Sequence, residues 1–251
     1  MVHERVAVVG DRVFRPAGWW TPTVHALLNH LHDVGFTRVP QPLGVRDGRE
    51  VLGFIPGDSG ASGWQRVVPE AGLRALARLL RDYHQAVASF VAPADARWAL
   101  ADGPAGPGQV ICHGDVGPWN VVWDGLTPVG LVDFDFAQPG DPLDDVAYAL
   151  EYTAPFRDDE QAMRWQGFDA PPDRPRRIEV FAEAYGLSTV DGLVDAVIRR
   201  QETTGVRLRA SADLGLEPQR TWVAQGFCDE LAARVRWSRD NRAGLLPPLG
   251  R

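Results

Sequence analysis

The sequence predicts an α+β fold in which a small lobe of strands precedes a larger, mainly helical lobe. Three observations lead to this prediction. Short β-branched runs near the amino terminus are separated by tight-turn residues. A helix-period pattern of leucines extends over residues 69–90, and several further helical patterns follow residue 142. At 251 residues and 45% hydrophobic content, the chain can bury a substantial core.

The amino-terminal part is predicted to contain four strands and one helix. Two strand pairs, over residues 6–15 and 40–55, each turn at a glycine and an aspartate. Between them, Thr21 followed by proline opens a helix that continues to about Asp33. The expected order is therefore strand, strand, helix, strand, strand.

Glycine and proline in residues 56–60 predict a hinge, which divides the chain into a small lobe, 1–57, and a large lobe, 58–251. In the large lobe, residues 93–108 are rich in Pro, Gly and Ala and are predicted to be a connection. The helices expected in the large lobe lie near residues 69–90, 142–152, 173–185, 189–209 and 218–240.

Two short apolar runs in the middle of the chain are each followed directly by polar residues. The run Val110–Cys112 stops at His-Gly-Asp, where Asp115 is followed five residues later by Asn120. A hairpin then returns the chain through Val129–Val132 to Asp133. An aspartate that accepts a proton, with an Asn and an Asp that share a hard cation, is the set of groups that phosphoryl transfer requires.

This pattern resembles the aminoglycoside phosphotransferase and choline kinase family, the small-molecule branch of the protein-kinase-like fold. The resemblance is specific over residues 110–150 and elsewhere concerns only the order of helices and strands. It implies a bilobal fold with a reduced amino-terminal sheet lobe, and it implies that the last two aspartates of the motif are structural. The matching segments are His113-Gly114-Asp115, Asn120, Asp133, Gly140-Asp141-Pro142 and Asp145-Val146-Ala147.

The resemblance also implies roles for individual residues. Asp115 is expected to be the catalytic base, and Asn120 and Asp133 are expected to bind Mg²⁺. His113 is expected to belong to the catalytic loop and to organise its backbone. The alternative is that a hairpin with an aspartate at each end is only a polar-tipped turn, but five matched positions in order favour the family.

The small lobe departs from the family pattern. Only five residues precede the first hairpin, so no glycine-rich loop over the phosphates is visible, and the chain contains no lysine. Arg15 stands at the lysine position, and His25 stands where the following helix would carry the paired glutamate. Arginine keeps the positive charge and can hold a nucleotide phosphate with two donors, so Arg15 is a candidate nucleotide-binding residue.

The resulting hypothesis is an Mg²⁺-dependent phosphotransferase that moves the γ-phosphoryl group of ATP or GTP to a hydroxyl of a small molecule. Antibiotics are among the candidate acceptors. The alternative is a non-catalytic, pseudokinase-like binding or immunity protein. The complete set of groups in the large lobe favours the enzyme, whereas the reduced small lobe favours the alternative.

Net charge, hydropathy and cysteine content limit the classes of partner that this chain is expected to bind. A net charge of −7 argues against a nucleic-acid partner. No apolar run approaches the roughly 20 residues needed to span a bilayer, and the first five residues do not have the form of a signal peptide, so a cytoplasmic protein without a membrane segment is expected. Cys112 and Cys228 are expected to be core residues and not metal ligands. The oligomeric state is not predicted.

Three further features leave two interpretations open. The nine acids and single base between Asp133 and Glu160 would form a negative surface that attracts Mg²⁺ or an amine-bearing substrate, or else they are helix caps and solvated residues. Trp119 would stack on a substrate ring and exclude water, or fill the core. His84 would be catalytic, although a packed structural histidine is favoured.

Overall fold

The structure, a computed structural model, describes residues 6–247. The first five residues, which carry the prediction about a signal peptide, lie outside this range. The strands are β1 (Ala7–Val9), β2 (Arg12–Pro16), β3 (Pro42–Arg46), β4 (Arg49–Gly53), β5 (Val110–Cys112), β6 (Val121–Asp124), β7 (Thr127–Leu131) and β8 (Gln138–Gly140). The helices are α1 (Thr21–Asp33), α2 (Gly63–Arg66), α3 (Glu70–Val87), α4 (Pro142–Thr153), α5 (Asp159–Gln166), α6 (Arg174–Tyr185), α7 (Leu193–Asp213), α8 (Gln219–Ala224), α9 (Phe227–Asp240) and α10 (Arg242–Leu245).

The amino-terminal strands form one antiparallel sheet in the order β1-β2-β4-β3. Its tight turns are those that the sequence indicates: Gly10 has φ +62°, and Asp47 and Gly48 have φ +51° and +72°. The β2–β4 register places Arg15 directly opposite Glu50. The sheet and the mainly helical remainder confirm the predicted α+β class.

Helix α3 lies at the centre of the hydrophobic core. Its leucines, among them Leu73, Leu76 and Leu80, are fully buried, and each fully buried side chain of this size contributes about 1.5–3 kcal/mol. The helix packs on α6, α4, β5 and β7, and it also contacts α1. In the described part of the chain no helix is long and apolar enough to cross a membrane.

The structure differs from the sequence-based prediction in several elements, including the short helices α2 and α10, which were not predicted. The helix expected over 218–240 is two helices, because Gly226 adopts a left-handed conformation with φ +84° between them. Helix α5 was not predicted, although the Asp158 side chain caps it by accepting from the Gln161 N–H at 2.8 Å. Strand β8 was not predicted either, since it pairs with β5 and that pairing is not local in sequence.

The short helix α2 lies directly against the loop that precedes β6. A Cβ atom on Gly63 would overlap the carbonyl oxygen of Pro118, so only glycine allows this approach. The neighbouring Trp64 consequently stacks near Trp119, with ring centroids 4.9 Å apart. This contact brings residues of two distant segments to the same side of the central hairpin.

We predict that Gly63→Ala destabilises the protein by about 1–3 kcal/mol, because the new methyl group must displace either α2 or the loop. The matched control is Gly205→Ala in the middle of α7, where a Cβ meets nothing closer than the end of the Arg209 side chain at 3.9 Å. The control should be neutral or stabilising by up to about 1 kcal/mol. Urea denaturation compares the two variants, and equal effects would show that the approach of α2 tolerates a side chain.

Candidate active site

The candidate catalytic loop leaves β5 at His113 and requires a glycine at its second position. Gly114 has φ +82°, a left-handed conformation, and a Cβ there would overlap the carbonyl oxygen of Phe136. The loop thereby packs against the segment that follows β7. The two apolar runs identified in the sequence are brought together at this point.

Asp145 on α4 fixes the backbone of the candidate catalytic loop. Its carboxylate accepts hydrogen bonds from the backbone N–H groups of His113 at 2.7 Å and Gly114 at 2.9 Å, and from His84 Nε2 at 3.1 Å. Burial raises the pKa of Asp145, but the hydrogen bond and charge of His84 together with the loop donors outweigh it, and the pKa lies below its ordinary value. His84 also contacts the Tyr185 hydroxyl at 2.8 Å, which supports its structural interpretation.

His113 joins the loop to the hairpin. Its Nε2 lies 3.0 Å from the carbonyl oxygen of Val132, and its Nδ1 accepts from the N–H of Asp115 at 3.3 Å, an arrangement that requires the neutral ring. Burial lowers the pKa of His113, which favours the same form. Because the residue is fully buried, this geometry supports an organising role and not contact with a substrate.

Both carboxylate oxygens of Asp115 accept hydrogen bonds from side chains. The Tyr148 hydroxyl donates to Oδ1 at 2.5 Å, and Asn120 Nδ2 donates to Oδ2 and to the Asp115 carbonyl oxygen, each at 2.9 Å. Burial, assisted by the charge of Asp133, raises the pKa of Asp115 to about 7 although the two hydrogen bonds oppose it. A carboxylate with such a pKa is well matched to accept a proton near neutral pH.

Tyr148 was missed in the sequence. It lies three residues after Asp145 on α4, so both side chains point from one face of the helix towards the loop. That spacing was readable, but only the loop's position in space shows that a hydroxyl at 148 meets the carboxylate of Asp115.

Asp133 lies beside Asn120 at the end of the hairpin. The N–H of Val132 donates to the Asn120 carbonyl oxygen at 2.9 Å, and Asp133 itself has φ +65° and a side chain that is 47% exposed. Within residues 6–247, neither Asn120 Oδ1 nor Asp133 Oδ2 takes part in a hydrogen bond. These two hard oxygen donors fit a Mg²⁺ ion, which prefers carboxylate and amide oxygens.

Arg15 reaches the same place from β2. Its Nη1 lies 2.8 Å from Asp133 Oδ1, its Nη2 lies 2.6 Å from Asp135 Oδ1, and its Nε donates to Glu50. Burial lowers the pKa of Arg15, but the charges of Asp135, Asp133 and Glu50 outweigh it and the pKa lies above its ordinary value. The guanidinium is therefore a permanent cation between the sheet and the hairpin.

Glu50 is the second residue that sequence reasoning missed. It is buried on β4 opposite Arg15, and it also accepts from His25 Nε2 at 3.0 Å. The interpretation that His25 replaces the glutamate was incomplete, because a carboxylate does pair with the cation but comes from the neighbouring strand and not from the helix. Its identification requires the β2–β4 register, which no local pattern indicates.

Asp135 accepts hydrogen bonds from two residues near the amino terminus of the chain. Besides Arg15, the Trp20 indole Nε1–H donates to Asp135 Oδ1 at 2.9 Å. Burial and the charge of Asp133 raise the pKa of Asp135 to about 6, against the effect of Arg15. Trp20 packs edge-to-face with Trp19, whose Nε1–H donates to the Trp98 carbonyl oxygen at 3.2 Å.

Four aromatic side chains pack together beside the candidate catalytic loop, and one of them, Tyr148, contacts Asp115; we refer to Trp64, Trp119, Tyr148 and Tyr152 as the aromatic cluster. Ring centroids lie 4.7 Å apart for Trp119 and Tyr152 and 5.0 Å apart for Tyr148 and Tyr152, in edge-to-face geometry. The two tyrosines are buried, whereas the two tryptophans keep part of their surface exposed. Trp119 therefore both packs on the core and faces solvent.

Most of the acids between residues 133 and 160 have structural partners, so the caps-and-pairs interpretation describes them better than a negative surface. Asp141 caps α4 by accepting from the Leu143 N–H at 2.8 Å, and the buried Glu151 pairs with Arg234 at 2.9 Å. The acids with partners described above are Asp133, Asp135, Asp145 and Asp158.

The two cysteines have different surroundings. Cys112 is buried as expected and donates to the Asp141 carbonyl oxygen at 3.2 Å, but Cys228 on α9 is only partly buried, because the helix has an exposed face there. The donor atoms of Cys112, His84 and Asp145 lie within 4.8 Å of one another, a distance that a metal could bridge. All three already take part in hydrogen bonds within the protein.

Comparison with known proteins assigns the chain to a family. The model of the phosphotransferase enzyme family matches residues 92–180. The trifolitoxin immunity protein of Rhizobium leguminosarum bv. trifolii is 36% identical over 198 residues, which cover 75% of this chain and 74% of that protein.

Solved structures show the same fold at low identity. An amicoumacin kinase in complex with AMP-PNP and Ca²⁺ matches with a TM-score of 0.55 and 13% identity, over 91% of this chain and 88% of that one. The GDP complex of aminoglycoside 2'-phosphotransferase-IIIa matches with a TM-score of 0.52 and 17% identity, over 95% and 90% of the two chains.

The chain belongs to the phosphotransferase enzyme family. Its fold is that of the solved kinases above, the protein-kinase-like fold, and the family match confirms the resemblance found in the sequence.

We predict that Glu50→Gln lowers the free energy of unfolding by about 1–3 kcal/mol, because a buried carboxylate that accepts from Arg15 and His25 loses its charge. The matched control is Glu202→Gln, which removes an exposed pair with Arg239. That variant should change stability by about 0–1 kcal/mol. Chemical denaturation measures both, and a loss no larger than the control's would mean that Glu50 acts like a surface residue.

Proposed function

We propose that this protein transfers the γ-phosphoryl group of ATP or GTP to a hydroxyl of a small molecule in an Mg²⁺-dependent reaction. The observation that carries the proposal is the convergence of Asp115, Asn120 and Asp133 at the end of one hairpin, with a raised pKa at Asp115. We further propose that residues 1–57 and 58–251 act as two lobes around the nucleotide, in the cytoplasm, where both nucleotides are available.

In this proposal Asp115 acts on the acceptor. Its carboxylate, held by Tyr148 and Asn120, accepts the hydroxyl proton as the acceptor oxygen forms its bond to the γ-phosphorus. The bond between the γ-phosphorus and the bridging oxygen then breaks, and the nucleoside diphosphate leaves with that oxygen. His113 and Asp145 keep the loop in place and do not touch the reacting atoms.

Asn120 and Asp133 are the residues that would hold Mg²⁺, which when bound neutralises charge on the phosphate oxygens. Arg15 supplies a second positive charge at the same edge of the sheet, and its planar donors suit phosphate oxygens. Two structural neighbours were solved with AMP-PNP and with GDP, respectively, so both nucleotide bases are reasonable candidates here.

We predict that Asp115→Asn lowers turnover by roughly 10² or more, because asparagine keeps the size of the side chain but cannot accept the proton. The matched control is Asp124→Asn at the exposed end of β6, which should leave turnover unchanged. Release of nucleoside diphosphate is measured over a panel of hydroxyl acceptors, with the melting temperature recorded for each variant. Retained turnover in Asp115→Asn would assign the base to another residue.

One observation favours a second candidate function, a non-catalytic immunity protein that sequesters its ligand. The donors of Arg15 already contact one oxygen of Asp133 and one of Asp135, so they are engaged by carboxylates and are not open to a phosphate. The immunity protein that shares 36% identity gives this candidate a biological context. The two functions differ in what Arg15 does: it binds phosphate in the enzyme and blocks the acids in the alternative.

Removal of the Arg15 charge separates the two functions. In a Glu50→Gln background, in which the buried residue opposite Arg15 no longer carries a charge, Arg15→Met should raise the dissociation constant of ATP or GTP with Mg²⁺ by roughly 10- to 150-fold if Arg15 binds phosphate. Calorimetry compares this double variant with Glu50→Gln alone. Unchanged or tighter nucleotide binding would favour the alternative in which Arg15 blocks Asp133 and Asp135.

A further inference from the structure

The aromatic cluster is connected to the candidate base through a hydrogen bond. Tyr148 belongs to the cluster and donates to Asp115 Oδ1 at 2.5 Å, and Trp119 directly precedes Asn120, which donates to Oδ2. Trp119 is thereby one residue away from a side chain that contacts the candidate base, and Trp64 lies against Trp119 with ring centroids 4.9 Å apart. Flat indole faces favour planar partners that stack on them or meet their edges.

The buried faces of the cluster carry positive charge. The Arg200 guanidinium lies 4.5 Å from the ring centroid of Tyr148, and the Arg157 guanidinium lies 5.5 Å from that of Tyr152 and 5.9 Å from that of Trp64. Arg157 is 5% exposed, and its Nε and Nη2 atoms have no hydrogen-bond partner within residues 6–247. A ring with a cation on one face is a poor host for a second cation on the other, because the two charges repel.

The carboxylates near the cluster offer little compensation for an amine. Asp115 and Glu151 are the acids that act on the two tyrosines. Asp115 is held by Tyr148 and Asn120, and Glu151 is paired with Arg234. The charge of Asp115 is opposed by that of Arg200, and Glu151 is paired, so the charge left over around the rings is that of Arg157, whose Nε and Nη2 atoms have no partner within residues 6–247.

We propose that the aromatic cluster is the acceptor subsite, and that it takes a neutral aromatic ring whose hydroxyl faces Asp115 and not a cationic amine. This inference rests on the proposed function, since it assigns the acceptor to the side of Asp115 where Tyr148 lies. Trp64 and Trp119 contact the ring, and Arg157, which lies over the rings of Trp64 and Tyr152, discriminates against positive charge. The hydroxyl is carried by the ring itself or by a short substituent on it.

The test uses three probes: N-acetyltyrosinamide, a neutral phenol; tyramine, a smaller phenol that carries an ammonium group; and N-acetylphenylalaninamide, which matches the first probe but lacks the hydroxyl. Dissociation constants are measured by NMR titration of the full chain with ADP and Mg²⁺ present. The neutral phenol should bind roughly fivefold more tightly than tyramine, as expected for one added positive charge near Arg157. It should also bind more tightly than the probe without a hydroxyl. Equal or tighter binding of tyramine overturns the proposal.

Variants locate the binding. Trp64→Leu and Trp119→Leu should each weaken binding of N-acetyltyrosinamide by about 3- to 10-fold, as expected for loss of an aromatic contact. Trp222→Leu removes an exposed tryptophan of α8 and is the matched control that should not change binding. An equal loss in the control, or no loss in the first two variants, overturns the assignment. If either variant melts at a lower temperature, the corresponding Trp→Phe change is used, and its loss should be smaller.

Arg157→Met tests the charge. It keeps an unbranched stem and removes the guanidinium, and it should bring the ratio of the two dissociation constants, neutral phenol against tyramine, towards one. An unchanged ratio shows that Arg157 does not discriminate and overturns that part of the proposal. The readout is binding and not phosphate transfer, so a probe that binds through both tryptophans without being phosphorylated supports the subsite and counts against the proposed reaction. Turnover with an amine acceptor, and none with neutral rings, supports the proposed reaction and overturns the subsite.

Discussion

The Arg15 guanidinium is the interaction on which the candidate site depends, because it connects the amino-terminal sheet to the central hairpin. One cation faces three carboxylates, those of Glu50, Asp133 and Asp135. Arginine suits this task because its donors point in fixed directions and it stays charged when buried. The pair with Glu50 is buried within the sheet, whereas Asp133 and Asp135 are partly exposed, so Arg15 is fixed from the sheet side and positions the hairpin through the two more exposed carboxylates.

A second network, centred on Asp145, shapes the loop that carries the candidate base. The carboxylate takes two backbone N–H groups of the loop and is itself oriented by His84, while His113 connects the loop to β7. All of these groups are buried, and their hydrogen bonds are correspondingly costly to break. Asp115 is therefore presented on a preorganised backbone.

The two networks differ in their relation to a ligand. The Asp145 network is fully buried and complete without one, as expected of a support. In the Arg15 network Asp133 is 47% exposed, and the donors of Arg15 face the same edge that a nucleotide would approach. A carboxylate and a phosphate are both anions that a guanidinium can bind with two donors. Arg15 therefore suits either of the two candidate functions.

The aromatic cluster adds a surface whose character differs from that of the acids around it. Trp64 reaches it only because Gly63 lets α2 touch the loop before β6, and Tyr148 reaches it from α4. Arginines on the inner faces, together with the pairing of Glu151 by Arg234, remove the negative charge that the composition of this region indicates. The electrostatics of the site thus follow from which charges are paired, and not from their number in the sequence.

The sequence by itself determined the α+β class, the tight turns, the central hairpin, and the order of His113, Asp115, Asn120 and Asp133. These features depend on short-range periodicity, on glycine and aspartate at turns, and on polar residues at fixed spacing, all of which are local. Only the tertiary structure decided that Glu50 pairs with Arg15, that Tyr148 holds Asp115, and that two helices replace the one expected over 218–240. Strand register and the approach of distant helices depend on packing between segments far apart in the chain, and no local pattern encodes that packing.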